Sequence, residues 1–131
     1  MLYLLDTNAF IAFFNDDGSA VARRIRRCNP NEIGISVIVM HELYYGAFNS
    51  GRVEKNVSAV DDLQFQVLSF NKEDARHAGE IRASLKKSGS PIGHYDILIA
   101  GQARARNLVL ITANVREFAR VKGLAWQDWS K

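Results

Sequence analysis

At 131 residues, with 47% hydrophobic and 24% charged side chains, the chain has the composition of one globular domain, which excludes a disordered or fibrous protein. A formal net charge of +3 and a pI near 9.2 make it mildly basic, too weakly to identify a polyanionic partner on that ground alone. The single cysteine, Cys28, excludes an internal disulfide framework and suits a reducing compartment. No basic leader precedes an apolar stretch and no segment approaches a membrane span, so a soluble cytoplasmic protein that does not contact the membrane is expected.

The chain opens on a short apolar run, Leu2-Tyr3-Leu4-Leu5, that ends at Asp6 and is followed by Thr7 and Asn8. Such a run bounded by turn formers fits a strand buried on both faces. In parallel α/β sheets ligands bind beyond the C-terminal ends of such strands, which puts Asp6 at the mouth of a potential site. Residues 9–14 are apolar throughout and read as a short buried helix capped by Asp6, Thr7 or Asn8. Residues 19–28 form a second helix, with Val21 and Ile25 on one side and Arg23, Arg24, Arg26 and Arg27 around the rest. Asn29-Pro30-Asn31 breaks it.

Residues 33–37 read as a second buried strand, after which Ser36 caps a helix running through Val39, Leu43 and Ala47 to about residue 49. A polar helix over 52–63, a strand over 67–70 and a long helix from Asn71 or Lys72 to Lys87 follow, closed by Ser88-Gly89-Ser90-Pro91. Ile92-Gly93-His94-Tyr95 leads into an apolar helix over 96–106, and residues 108–111 form a third core strand. Thr112-Ala113-Asn114 opens a short helix containing Phe118, and the tail over 124–129 adds an edge strand or packs on the body. Strands alternating with helices imply a parallel sheet covered on both sides, in one domain spanning 1–131 without repeats or linkers.

Three carboxylates stand out. On a helical projection Val39, Leu43 and Ala47 share an arc with Glu42 on its border, and Gly46 one turn later leaves the space beside that carboxylate open. Asp96 precedes Ile97-Leu98-Ile99-Ala100, an apolar run expected to be deeply buried, where a carboxylate is costly unless paired, capping or bound to a cation. Taken singly, Asp6 and Asp96 also suit helix caps and Glu42 a half-exposed helix edge. Taken together, Asp6, Asp96 and Thr112-Ala113-Asn114 converge on one end of a parallel sheet.

Carboxylates gathered in one crevice repel unless a cation sits among them. All-oxygen ligands suit Mg²⁺ or Mn²⁺, and such sites chiefly serve phosphoryl and phosphodiester chemistry. No zinc set is present, since His41, His77 and His94 lack ligand spacing with Cys28.

These stretches resemble a PIN-domain nuclease, specifically the VapC-type toxin ribonucleases of bacterial type II toxin–antitoxin pairs. The matching residues are Leu4-Leu5-Asp6-Thr7-Asn8, Glu42-Leu43-Tyr44-Tyr45-Gly46-Ala47, the stretch from Gly89 through Asp96 to Ala100, and the stretch from Leu110 through Asn114 to Phe118. The resemblance covers essentially the whole chain. It implies a PIN-like three-layer α/β/α fold around a parallel sheet of four to five strands. It further implies a Mg²⁺-dependent endoribonuclease, with Mn²⁺ as a substitute, that cleaves structured RNA to inhibit translation. The RNA would be a tRNA, most often the anticodon stem-loop of initiator tRNA. The implied partners are a VapB-like antitoxin that threads a segment into the cleft and a second copy in a homodimer, with operator DNA reached only through the antitoxin.

Carried over residue by residue, Asp6 and Asp96 hold the metal, Glu42 is the third acid, and Asn114 stands where many PIN domains have a fourth. An amide there can position water or a ligand but brings no charge, so one firmly bound Mg²⁺ is expected, with Glu117 contributing through water. The implied reaction is in-line attack by water, with Glu42 orienting or deprotonating it, leaving 5′-phosphate and 3′-hydroxyl ends. Thr7, Asn8, Thr112 and Asn114 are expected to fix the carboxylates, a role that coexists with turn and cap chemistry. Arg82 could face a phosphate, pair with an acid of the site or remain a solvated helix arginine. The four arginines over 23–27 could land RNA, meet an acidic antitoxin or stay solvated. Tyr44, Tyr45 and Phe48 lie partly off the apolar arc of their helix, where a homodimer interface or base stacking would use them.

Three other readings compete. A haloacid-dehalogenase-type phosphatase pairs two aspartates two residues apart, and here the second position is Asn8. A non-catalytic α/β binding module such as a receiver domain carries an acidic pair after the first strand and a lysine after the last core strand, and neither is in place. A PIN nuclease of RNA maturation or decay acting without an antitoxin shares all the site residues.

Overall fold

The computed structural model describes residues 1–131. Five strands form its centre: β1 (Tyr3–Leu5), β2 (Ile33–Ser36), β3 (Gln66–Leu68), β4 (Val109–Ile111) and β5 (Trp126–Gln127). Seven helices connect them: α1 (Thr7–Asn15), α2 (Ala20–Arg27), α3 (Val37–Phe48), α4 (Val53–Asp61), α5 (Lys72–Lys87), α6 (His94–Ala105) and α7 (Val115–Phe118). All pairings are parallel, in the order β3-β2-β1-β4-β5. The sheet is the α/β architecture expected from the alternation of strands and helices, with five strands.

The strand order decides where a site can form. From β1 the chain steps outward through β2 to β3, then returns across to β4 and β5 on the other side of β1. Right-handed crossovers put the connections of these two halves on opposite faces, and the order reverses between β1 and β4. Tyr3 lies opposite Ile33 on one side and Val109 on the other, and Leu5 opposite Ile111. Leu4, Leu5, Ile33, Ile35 and Leu110 are wholly inaccessible, which explains why β1 reads as an unbroken apolar run. Asp6 is the first residue beyond β1, at the reversal point.

On the other side of the fold, α5 and α6 pack face to face. A Cβ at Gly101 would stand 2.6 Å from the Ala78 backbone nitrogen, so only glycine lets the helices approach this closely. Their far ends are tied by a two-pronged ion pair. Arg106 donates from Nε to Asp74 Oδ1 at 3.2 Å and from Nη2 to Oδ2 at 2.8 Å, with Asp74 fully buried. Gln102 adds a bond to the Ser69 carbonyl at 3.1 Å.

Several boundaries differ from the sequence reading, each for a local reason. Helix α1 starts at Thr7, two residues early, because Asp6 alone serves as its cap. Helix α6 starts at His94 with Gly93 as its cap, so Asp96 is a first-turn residue two positions inside the helix. Leu98 is half-exposed, so the apolar run after Asp96 is not buried on every side. Strand β3 lies over Gln66–Leu68, one residue before the expected 67–70 and shorter, with Ser69 and Phe70 turning toward α5. The tail resolves as a true parallel edge strand, its Leu110↔Trp126 register held by the Leu110 N–H donating to the Ala125 carbonyl at 2.9 Å. No helix is long and apolar enough to cross a membrane.

Candidate active site

Asp6 is placed by backbone bonds on both sides. Its N–H donates to the Ile111 carbonyl of β4 at 3.0 Å, and its Oδ1 accepts the Ala9 N–H of α1 at 2.9 Å. The aspartate is therefore a helix cap, and the cap bond occupies one carboxylate oxygen. Only 5% of the residue is exposed, yet it lines a cavity of about 700 Å³ together with Thr7, Asn8, Glu42, Gly46 and Asp96.

Ser36 turns β2 into α3 by accepting the Ile38 N–H at 3.1 Å, and α3 then carries Glu42 to the same cavity. Thr7, from the first turn of α1, donates its hydroxyl to Glu42 Oε1 at 2.8 Å. The hydroxyl fixes the Glu42 carboxylate while its second oxygen stays free. A Cβ built on Gly46 meets nothing within 4 Å, so the space beside Glu42 is open, as the spacing of Glu42 and Gly46 implied. Asp96 arrives from the other half of the fold on the first turn of α6.

The charges are mutually unfavourable. Burial raises the Asp6 carboxyl above its ordinary value, the Thr112 hydroxyl and the Ala9 N–H pull it back, and Glu42 and Asp128 raise it further. Asp96 is lifted from 3.8 to about 6, first by burial and then by Glu117, Asp6 and Glu42. No lysine or arginine lines the cavity to offset this.

Whether a cation fits can be judged from the donor set. The available donors are carboxylate, hydroxyl and amide oxygens, the hard ligands that Mg²⁺ and Mn²⁺ take. No three acidic or histidine side chains converge into a ready-made cage. A cation that takes one or two carboxylates directly and keeps its waters fits this arrangement, whereas one demanding an all-protein cage does not. Asp6 and Asp96 would be the residues to hold it, and its charge would offset the burial and the repulsion that raise both carboxyls.

The remaining candidates divide. Asn114 does not cap α7 with its side chain; its Nδ2 donates to Glu117 Oε2 at 2.9 Å, and its N–H donates to Thr112 Oγ1 at 2.9 Å. Asn114 thus holds Glu117, and Glu117 is the charge that raises the Asp96 carboxyl most, after burial. Asn8 lines the cavity with its side chain exposed. Arg82 lies elsewhere: it is exposed, forms no ion pair, and lines a separate groove between α5 and α6 with Phe70, His94 and Leu98. On α2, Arg24 lies over the Trp129 ring, 4.9 Å from its centroid, and Arg26 pairs loosely with Asp17 at 4.0 Å, both away from the cavity lining. Sequence reasoning missed the aromatic walls of the cavity, His41 and Tyr95, and the influence of Asp128. Tyr95 and His41 each precede a candidate acid directly, a signal that was available; the position of Asp128 depends on the register of β5.

The fold and site are those of an α/β domain whose parallel sheet gathers carboxylates at its reversal point, and the chain matches the PIN domain family over residues 3–124. It is 38% identical over 130 residues to the tRNA(fMet)-specific endonuclease VapC of Shigella flexneri, covering 98% of each chain. It is 40% identical over 134 residues to Ribonuclease VapC1 of Haemophilus influenzae (strain R2866), covering 100% of both. Its fold superposes with a TM-score of 0.90 on a chain of the crystal structure of DNA-bound VapBC from Salmonella typhimurium, at 38% identity over 98% of this chain and 99% of that one. The chain therefore belongs to the PIN-domain family and, within it, to the VapC ribonucleases.

Proposed function

We propose that the protein is the toxin of a cytoplasmic toxin–antitoxin pair, a Mg²⁺-dependent endoribonuclease that cleaves tRNA, with initiator tRNA as its target and Mn²⁺ as a substitute ion. The observation that carries this reading is the meeting of Asp6, Glu42 and Asp96 in one cavity with no cationic side chain to offset them. The VapC relatives support the substrate, and the VapBC structure supports a VapB-like antitoxin as partner, through which operator DNA is reached. The toxin itself forms a homodimer.

Bound between Asp6 and Asp96, the metal would supply positive charge to the phosphate oxygens and acidify a water. Glu42, through the carboxylate oxygen that Thr7 leaves free, would orient the attacking water in line with the scissile P–O bond and take up its proton. Thr7 holds Glu42 in place, Thr112 supports Asp6, and Asn114 keeps Glu117 turned toward Asp96. The water oxygen bonds to phosphorus as the P–O3′ bond breaks, which leaves a 5′-phosphate on one fragment, while the departing 3′-oxygen takes a proton from solvent and becomes a 3′-hydroxyl on the other.

Controlled expression tests the reading. The wild type should arrest growth and cleave initiator tRNA, co-expression of the antitoxin from the adjoining gene should relieve the arrest, and Asp6→Asn and Asp96→Asn should abolish both effects at equal protein level. Undiminished toxicity of either variant would refute the assignment.

A further inference from the structure

We propose that His41, Tyr45 and Tyr95 form a wall on which unpaired bases next to the scissile phosphate stack, so that the cleft selects single-stranded segments of RNA. The inference rests on the ribonuclease reading above and assigns residues to the recognition it requires.

The three side chains line the same cavity as Asp6, Glu42 and Asp96. His41 directly precedes Glu42 and Tyr95 directly precedes Asp96, while Tyr45 lies one turn beyond Glu42 on α3. The rings of His41 and Tyr95 meet across α3 and α6 with centroids 5.4 Å apart at 56°, an inclined contact rather than a closed stack. Tyr45 is 66% exposed and Tyr95 49% exposed. Their neighbour Tyr44 has its hydroxyl engaged by Asp61, but the hydroxyls of Tyr45 and Tyr95 have no partner within the chain.

Charge decides what such a wall is for. A phosphate backbone approaching this cavity meets several carboxylates and no lysine or arginine. The usual electrostatic source of nucleic-acid affinity is therefore weak within the cavity itself, with Lys55 lining the adjoining groove that shares Glu42 and Gly46. Aromatic stacking is independent of charge and tolerant of base identity, and a bound cation would supply only the phosphate contact. In a duplex both faces of each base are already covered, so only an unpaired, splayed base can use these rings. A second copy of the chain is the weaker occupant at Tyr95, which it could not cover without also covering Asp96, whereas His41 and Tyr45 also line an open patch with Tyr44 and Phe48 that lies outside the acids. Phe48, 63% exposed and outside the acid cavity, extends the patch in the direction open to such a partner.

The test uses an RNA hairpin with a fluorescent adenine analogue beside the cleavage position in its loop, and a duplex of the same sequence. Binding is measured in EDTA, where cleavage does not interfere. Tyr45→Leu and Tyr95→Leu keep apolar bulk but lose the aromatic face, and each should weaken loop binding about 5- to 150-fold, the usual worth of one stacked base. Each should also relieve quenching of the analogue and raise KM more than it lowers kcat. Tyr45→Phe and Tyr95→Phe should restore both binding and quenching, and duplex binding should be weak and equal in every form.

Leucine variants that bind and quench like the wild type would overturn the proposal. If those variants instead lost self-association in sedimentation, the rings would belong to a protein interface. Hairpin cleavage by the wild type in Mg²⁺, measured alongside, separates the two levels. Cleavage with unchanged leucine variants removes the wall alone, and no cleavage removes the ribonuclease reading and the wall with it.

Discussion

Asp96 shows how the proposed catalytic arrangement works against the stability of its own fold. In the unfolded chain it ionises near 3.8, and in the folded chain near 6. Between those values the folded state holds an extra proton, so stability falls as pH rises through the window and stays reduced above it. Discounted for partial exposure, the penalty is about 1 kcal/mol. Asp96→Asn removes it, so without divalent metal near neutral pH the variant should melt roughly 3–6 °C above wild type. The gap should close near pH 4, and excess Mg²⁺ should reverse it by stabilising only the wild type. Thermal melts across pH, with and without metal, check this; a variant less stable than wild type in EDTA would mean that the carboxylate is structural.

Thr7 tests the other acid. Its single hydrogen bond to Glu42, at 2.8 Å, is charge-assisted and spans α1 and α3. Thr7→Val should lower kcat on the order of tenfold, the worth of one such bond, with KM nearly unchanged and activity recovered by Thr7→Ser. Steady-state kinetics on the hairpin substrate separate this from a folding defect, which would lower the active fraction in both variants.

At the scale of elements, the site depends on how closely α6 packs against α5. Helix α6 brings Asp96 to the cavity, and its distance from α5 is set at Gly101, where a Cβ would collide with the Ala78 backbone. Gly101→Ala should cost about 2–3 kcal/mol despite the higher helix propensity of alanine, because backbone atoms cannot yield as a flexible side chain can. Chemical denaturation measures it, and a stabilised variant would show that the close approach is not needed. Arg106→Met should cost a similar ~2–3 kcal/mol, since it leaves Asp74 buried with only its own capping bonds.

The same scale shows which parts of the fold were legible in the sequence. Strand β1 was plain because a strand buried on both faces must be apolar at every position, and Asp6 interrupts that run where burial between strands ends. Ser36 and Asn71 announced α3 and α5 because their side chains accept backbone N–H groups in the first turns. Helix α6 began earlier than expected because Gly93 caps without a side chain and so leaves no residue-type signal. Strand β5, two residues long, is defined by its pairing with Leu110 and Ile111, which no local pattern contains.

At the scale of the whole molecule, a chain of net charge +3 brings three of its 14 acids into one cavity at the reversal point and carries its basic charge outside that lining, including four arginines on α2. Asp6, Glu42 and Asp96 stood out because each is a carboxylate set against apolar neighbours. Tyr95, His41 and Asp128 did not, because their relation to the cavity arises only when α3, α6 and β5 meet around the sheet. On the proposed reading, a divalent cation in the acid cleft would let phosphate approach and would offset the carboxylates that raise one another.

The most direct measurement is cleavage of initiator tRNA by the purified protein under controlled metal. Activity should be present in Mg²⁺, vanish in EDTA, return on adding Mg²⁺ or Mn²⁺, and leave 5′-phosphate ends, with Asp6→Asn inactive throughout. Cleavage that persists in EDTA, or that leaves a 2′,3′-cyclic phosphate, would contradict a metal-assisted attack by water at Asp6, Glu42 and Asp96.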